Sequence, residues 1–141
     1  MNLIYPNLVV DKNNNRLTPQ EASTEPIVVL SSPPRRRFLY RTLVMHDPDA
    51  VGGNRIHWLV LHHHDTVFPY EGPQPPAGSG KHRYIFLLFG HDRPLQAPPR
   101  GLRRRISMTR LWERLGVSSP LHLLSSRWFV SESAGDSLRQ L

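Results

Sequence analysis

Apolar residues in this chain gather in short runs, and proline, glycine and polar clusters separate them. Leu8–Val10, Ile27–Leu30, Phe38–Met45, Ile56–His62, Tyr84–Phe89, Leu121–Leu124 and Trp128–Ser131 are rich in Val, Ile, Leu and aromatic residues and read as strands. Proline clusters at 33–34, 73–76 and 94–99 read as connections, because proline lacks the N–H that a central ladder needs. Asn13–Asn15 reads as a turn. Thr18-Pro19 reads as the start of one short helical turn, with Thr18 as cap. One segment stands out as a helix: Met108, Leu111, Trp112 and Leu115 follow i, i+3, i+4, i+7 spacing, with Ser107 as cap, Gly116 as stop and Pro120 beyond. Short strands without alternating helices predict a mainly β chain, an antiparallel sandwich with one short helix in its C-terminal third. Trp58 and Trp112 are expected to be largely buried.

A chain of 141 residues forms one domain, 1–141, able to bury a core without staples. The absence of cysteine removes disulfides, thiolate metal sites and a cysteine nucleophile. The apolar runs are too short to cross a bilayer. Met1 to Val10 has no basic run ahead of an apolar stretch, so no secretory signal is read and a cytoplasmic location is expected. The net charge of +7 comes almost wholly from arginine, and its distribution is uneven. Residues 38–92 carry a net charge of −1, whereas 94–141 carry +5. The basic C-terminal third suits phosphates, acidic partners or anionic lipid head groups, or simply a solvated face.

Candidate chemistry concentrates between Met45 and Phe89, where acids, histidines and a Gly/Pro loop sit at the ends of apolar runs. Pro48 separates Asp47 from Asp49, so one carboxylate is expected to line a site and the other to tie down the loop. Strand alternation after His57 places His57, Leu59 and Leu61 on one face, with Trp58 and Val60 on the other. The loop from Gly72 to Gly80 holds three prolines and three glycines in nine residues, a backbone whose N–H groups can form a nest for an anion. It re-enters a strand at His82-Arg83-Tyr84, with His82 and Tyr84 sharing a face. Two histidines, a tyrosine and Asp47 could then surround one phosphate-sized anion, with Asp47 favouring a charged histidine.

Other chemistries fit less well. His62-His63-His64 resembles a metal tract, but adjacent strand residues point to alternate faces, so no metal site is expected. Ser79, His82 and Asp47 supply the parts of a hydrolase. However, Gly78-Ser79-Gly80 lies in a loop entering a strand and not in a strand-to-helix elbow, so no enzyme activity is expected. Arg100 to Arg105 could grip a nucleic acid backbone, but it lacks interleaved aromatics and matches no base-reading module.

Three stretches carry a resemblance: Asp47-Pro48-Asp49-Ala50, His57-Trp58-Leu59-Val60, and Gly72-Pro73-Gln74-Pro75-Pro76 followed by Gly78 and His82-Arg83-Tyr84. Together they resemble the phosphatidylethanolamine-binding protein family, which includes the Raf kinase inhibitor proteins. Leu17 to Ala22 with Pro26, and Leu115-Gly116, Pro120 and Trp128-Phe129, extend the resemblance over roughly residues 8–132. The resemblance implies a Greek-key β-sandwich with a small anion pocket lined by Asp47, His57, Gly72, Pro75, Pro76, His82 and Tyr84, with Phe129 as a further candidate. Arg55 stands where an aromatic often flanks the pocket, and either adds a cation to the site or swings out to solvent. Val51 replaces a usual proline. The chain stops soon after the last strand, so the C-terminal helix of the mammalian members is not expected.

The resemblance implies a non-enzymatic protein that binds phosphate, a phospholipid head group or a phosphorylated residue and modulates a kinase or signalling partner. It implies no cofactor. Two alternatives stand beside it. One is a peripheral binder of anionic membranes through the Arg-rich C-terminal surface. The other is a kinase or protease inhibitor with a vestigial pocket.

Overall fold

The structure, a computed structural model, describes residues 1–30, 33, 35–119 and 121–139. Their strands are β1 (Asn2–Tyr5), β2 (Leu8–Val10), β3 (Asn15–Arg16), β4 (Ile27–Val29), β5 (Tyr40–Asp47), β6 (Arg55–Leu61), β7 (Asp65–Phe68), β8 (His82–His91) and β9 (His122–Ser131). Two helices accompany them, α1 (Met108–Arg114) and α2 (Ala134–Arg139). Pro34 and Pro120, read above as part of connections, lie outside the described residues.

The strands form two sheets. One has the order β2-β1-β4 and the other β3-β9-β8-β5-β6-β7. All pairs are antiparallel except β3 with β9. The connection 69–81 returns the chain from β7 at the edge to β8 beside β5. The resulting order β8-β5-β6-β7 is that of a Greek key.

Strand alternation gives the large sheet two buried faces. Met45, Trp58, Tyr84, Phe86, Leu88 and Phe129 pack toward the small sheet, against Leu3, Tyr5 and Val10. Val44, Ile56, Leu59 and Leu61 face the other way, against Leu95 and the α1 side chains Leu111 and Leu115. The large sheet is therefore the middle of three layers, with α1 and the loops around it forming the outer one. Ser107 caps α1, its hydroxyl accepting from the Arg110 N–H. Thr18 and Glu21 cap each other around one turn, at 2.8 and 3.1 Å.

Several expectations need correction. β1 and the short polar strand β7 were not among the strands read from the sequence. The two runs 121–124 and 128–131 form one continuous strand, β9. Asn15 belongs to a strand. A second helix, α2, follows the last strand where none was expected; Ser133 caps it, its hydroxyl accepting from the Asp136 N–H at 3.2 Å. Trp58 is buried, but Trp112 is only half-buried, set edge-on to Phe89. The histidine tract is a turn and not a strand end: His62 and His63 both take positive φ between β6 and β7. There His62 Nδ1 pairs with Asp65, and its Nε2 accepts from the Leu95 N–H.

Candidate functional site

The site begins with an irregularity in β6. Met45 pairs with Trp58 but His46 pairs with Ile56, so His57 is an extra residue with no opposite number on β5. Such a bulge re-aims its side chain. The His57 ring therefore stands edge-on to Tyr84, centroids 5.2 Å apart, and not in the helix-side core with Leu59 and Leu61. Plain alternation could not foresee this.

His57 helps to line a cavity of about 190 Å³ together with Asp47, Arg55, Glu71, Pro75, Pro76, His82, Tyr84 and Arg105. Its Nδ1 lies 2.7 Å from the Glu71 carbonyl, which can only accept, so Nδ1 carries the hydrogen. Burial pushes the imidazole below its ordinary pKa, which the Glu71 carbonyl and carboxylate partly oppose. Its Nε2 has no hydrogen-bond partner among the described residues. Tyr84 is pushed well up, first by burial and then by the nearby Asp47 carboxylate.

Asp47 and His82 form a buried pair, 3% and 2% exposed, joined at 2.7 Å between Oδ2 and Nδ1. His82 Nε2 lies 2.8 Å from Ser79 Oγ, and Ser79 Oγ lies 2.6 Å from the Pro76 carbonyl. The hydroxyl has one proton, and the carbonyl can only accept it. Ser79 therefore donates to Pro76 and accepts from the His82 Nε2–H. In this arrangement His82 cannot take a proton from Ser79. The Ser-His-Asp series is a brace that ties the loop to β5.

The two acids around Pro48 diverge. Asp47 Oδ1 accepts from the Asp49 N–H, while Asp49 accepts from the Arg83 N–H and two of its guanidinium nitrogens. The Arg83 guanidinium holds the Asp49 carboxyl below the usual carboxylate range.

The glycine-rich loop differs from expectation. Its N–H groups at Gly78 and Gly80 do form a nest, but the anion in it is the Asp136 carboxylate from α2. They are thus committed to the protein and not to a ligand. Gly72 does not line the cavity either: a Cβ there would stand 2.8 Å from the Ala22 carbonyl, so this glycine serves a close backbone approach. Phe129 is fully buried behind the site, stacked on Tyr84 at 5.6 Å.

Arg55 does face the cavity, clamped by two bonds to Glu71 at 3.0 and 3.2 Å. Arg105 enters from a distant segment and donates to the Val51 carbonyl, its guanidinium resting against Gly52. Arg104 turns inward instead, donating to the carbonyls of Ile56, His57 and Pro69. Asp47 and Glu71 thus face Arg55 and Arg105, two carboxylates against two guanidinium groups. Of the candidates named from sequence, Asp47, Arg55, His57, Pro75, Pro76, His82 and Tyr84 meet at this cavity, whereas Gly72 and Phe129 do not. Glu71 and Arg105 were missed. Glu71 sits beside the candidate Gly72, but no spacing in the sequence announces Arg105.

Residues 61–116 match the model of the family described as "Phosphatidylethanolamine-binding protein". The chain is 36% identical over 99 residues to "Putative lipoprotein LppC" of Mycobacterium tuberculosis, a match covering 55% of this chain and 48% of that protein. The chain spans about half the length of the curated relatives it matches. Its fold is that of the phosphatidylethanolamine-binding protein from Plasmodium vivax, with a TM-score of 0.68 at 20% identity over 94% of this chain and 84% of that one. It is also that of a carboxypeptidase Y inhibitor solved in complex with its cognate proteinase, with a TM-score of 0.66 at 20% identity over 94% and 82% of the two chains.

Proposed function

This chain belongs to the phosphatidylethanolamine-binding protein family, and on that premise we propose that its cavity binds one phosphate-sized anion. The anion is carried by a phospholipid head group or a phosphorylated residue, and the protein is a non-enzymatic modulator of a kinase or signalling partner. The observation that carries this reading is His57 Nε2, an imidazole nitrogen on a polar cavity of about 190 Å³ with no hydrogen-bond partner among the described residues. A neutral His57 offers a lone pair there, which accepts from the P–O–H of a monoanionic phosphate. A protonated His57 donates to the dianion. Arg55 and Arg105 supply the opposing charge, and Arg105 is held against the rim by a backbone carbonyl. Catalysis is left out of this reading because the Ser79 hydroxyl is committed to Pro76, and both His82 nitrogens are engaged.

The test is a nitrogen-15 NMR titration with inorganic phosphate and with O-phosphorylethanolamine. The His57 Nε2 resonance is expected to move on addition of either compound, and His57→Gln to abolish binding. A His57 resonance that stays fixed at millimolar ligand, in a folded protein, overturns the assignment.

A further inference from the structure

Arg105 also lines a second and larger concavity, of about 500 Å³. Its walls are Gly52 to Asn54, Arg100 to Arg103, Arg105 to Ser107, and Arg110 and Arg114 on α1. Five arginines line it: Arg100, Arg103, Arg105, Arg110 and Arg114. No Asp or Glu does. Among the described residues no ion pair joins any of the five to a carboxylate.

The local backbone selects these side chains. From Gly101 to Ser107 exposure alternates residue by residue, as in a strand. Arg103 and Arg105 point outward, while Leu102, Arg104 and Ile106 turn in. Ile56 N–H bonds to the Arg104 carbonyl and Ile106 N–H to the Asn54 carbonyl, which fixes that phase. Arg110 and Arg114 are one helical turn apart, a like-charge pair that weakens a helix. Gathering five such charges in one concavity opposes folding, yet it focuses a positive potential where a chain of negative charges can lie.

We propose that this groove seats an acidic peptide segment of a partner protein, and that Arg105 joins it to the cavity so that a phosphorylated residue of that segment fills the cavity. The second half rests on the phosphate reading of the cavity, whereas the first does not. A bilayer fits less well, because the site is concave. In addition, the exposed apolar side chains Ile4, Val9, Ile27 and Val29 lie on the small sheet, and Val51, next to Gly52, is a single apolar side chain beside the groove, too little to insert into a bilayer. Single-stranded nucleic acid fits less well because no aromatic side chain lines the groove for bases to stack on.

The experiment uses the full chain and fluorescence anisotropy with three labelled peptides: Glu-rich with a central phosphoserine, the same without phosphate, and a neutral phosphoserine peptide. Vesicles of phosphatidylcholine with one-fifth phosphatidylserine, and a single-stranded RNA, are the competing probes. The exposed triple variant Arg103→Ala, Arg110→Ala, Arg114→Ala is expected to lose about tenfold or more in affinity for both Glu-rich peptides, and parental binding to fall steeply with salt. The triple variant is expected to leave the phosphate response of His57 unchanged. His57→Gln is expected to remove the gain that phosphorylation gives and to spare the unphosphorylated peptide.

Affinity of the triple variant within about twofold of the parent overturns the groove proposal, as does tighter binding of vesicles or RNA than of the Glu-rich peptides. Loss in the triple variant, with no gain from phosphorylation and no His57 shift, keeps the groove and overturns the cavity reading alone.

Discussion

The Asp136 carboxylate accepts the Gly78 N–H at 2.8 Å and also the Gly80 N–H at 3.0 Å, so a residue of the last helix holds the loop that forms one wall of the cavity. Asp136→Ala leaves both donors without their acceptor. Its expected cost is about 3 kcal/mol, read as a lower urea midpoint, because hydrogen bonds to a charged acceptor are the stronger kind. Asp136→Asn keeps one acceptor oxygen and is expected to cost about half as much. Amide exchange at Gly78 and Gly80 is expected to quicken in both variants while exchange in β5 and β8 stays slow.

Two carboxylates two residues apart are expected to differ sharply. Asp47 is buried against buried His82, so Asp47→Ala strands a buried imidazole and is expected to cost about 3–5 kcal/mol. Asp49 meets Arg83 nearer to solvent, and Asp49→Ala is expected to cost about 1 kcal/mol. Chemical denaturation of the two variants checks the ratio, and equal costs would show that the Asp47–His82 pair is not the brace described.

Burial pushes His57, His46 and His91 below the ordinary histidine value of ~6.5. The unfolded chain therefore takes up protons first as the pH drops. The stability associated with these neutral rings is intact above ~6.5 and is lost as pH falls from there toward their folded values. Thermal melts between about pH 7.5 and 5 are expected to show this decline, and His57→Gln is expected to make it shallower. Saturating phosphate is expected to do the same, since an anion on Nε2 favours the charged ring.

Trp58 and Trp112 separate the two cores. Trp58 is 8% exposed and edge-on to both Tyr70 and Phe86, so Trp58→Ala is expected to cost about 3–5 kcal/mol. Trp112 is half-buried on the outer layer, and Trp112→Ala is expected to cost roughly half of that. Unfolding midpoints order the two, and the reverse order would place the main core on the helix side.

The parts of the fold legible in the sequence are those whose residues signal locally. β5, β6 and β8 are long apolar runs with turn residues at their ends, and α1 has an apolar stripe between a cap and a glycine. β7 is only Asp65 to Phe68, and Ser125, Ser126 and Arg127 interrupt β9 with polar side chains that hide its continuity. α2 contains Gly135 and no apolar stripe, so no helical period reveals it. Within the site, Asp47, His57 and His82 could be named because each stands at the end of an apolar run. Two facts could not be read, because both depend on contacts across the chain: the bulge that turns His57 toward Tyr84, and the nest filled by Asp136 more than fifty residues away.

The walls of the cavity come from separate stretches of chain: Asp47 from β5, His57 from β6, Pro75 and Pro76 from the long connection, His82 and Tyr84 from β8, and Arg105 from beyond it. No hairpin contains them all. The Greek-key return must close before His82 can reach Asp47, and loop-closure entropy opposes that step until the pairing of β5 with β8 rewards it. The site therefore exists only once these long-range pairings are made, and a partly folded chain that lacks them has none. A ligand of this cavity binds only the complete structure, so it draws the whole folding equilibrium with it: at a hundred times its dissociation constant it adds about 2.7 kcal/mol of stability.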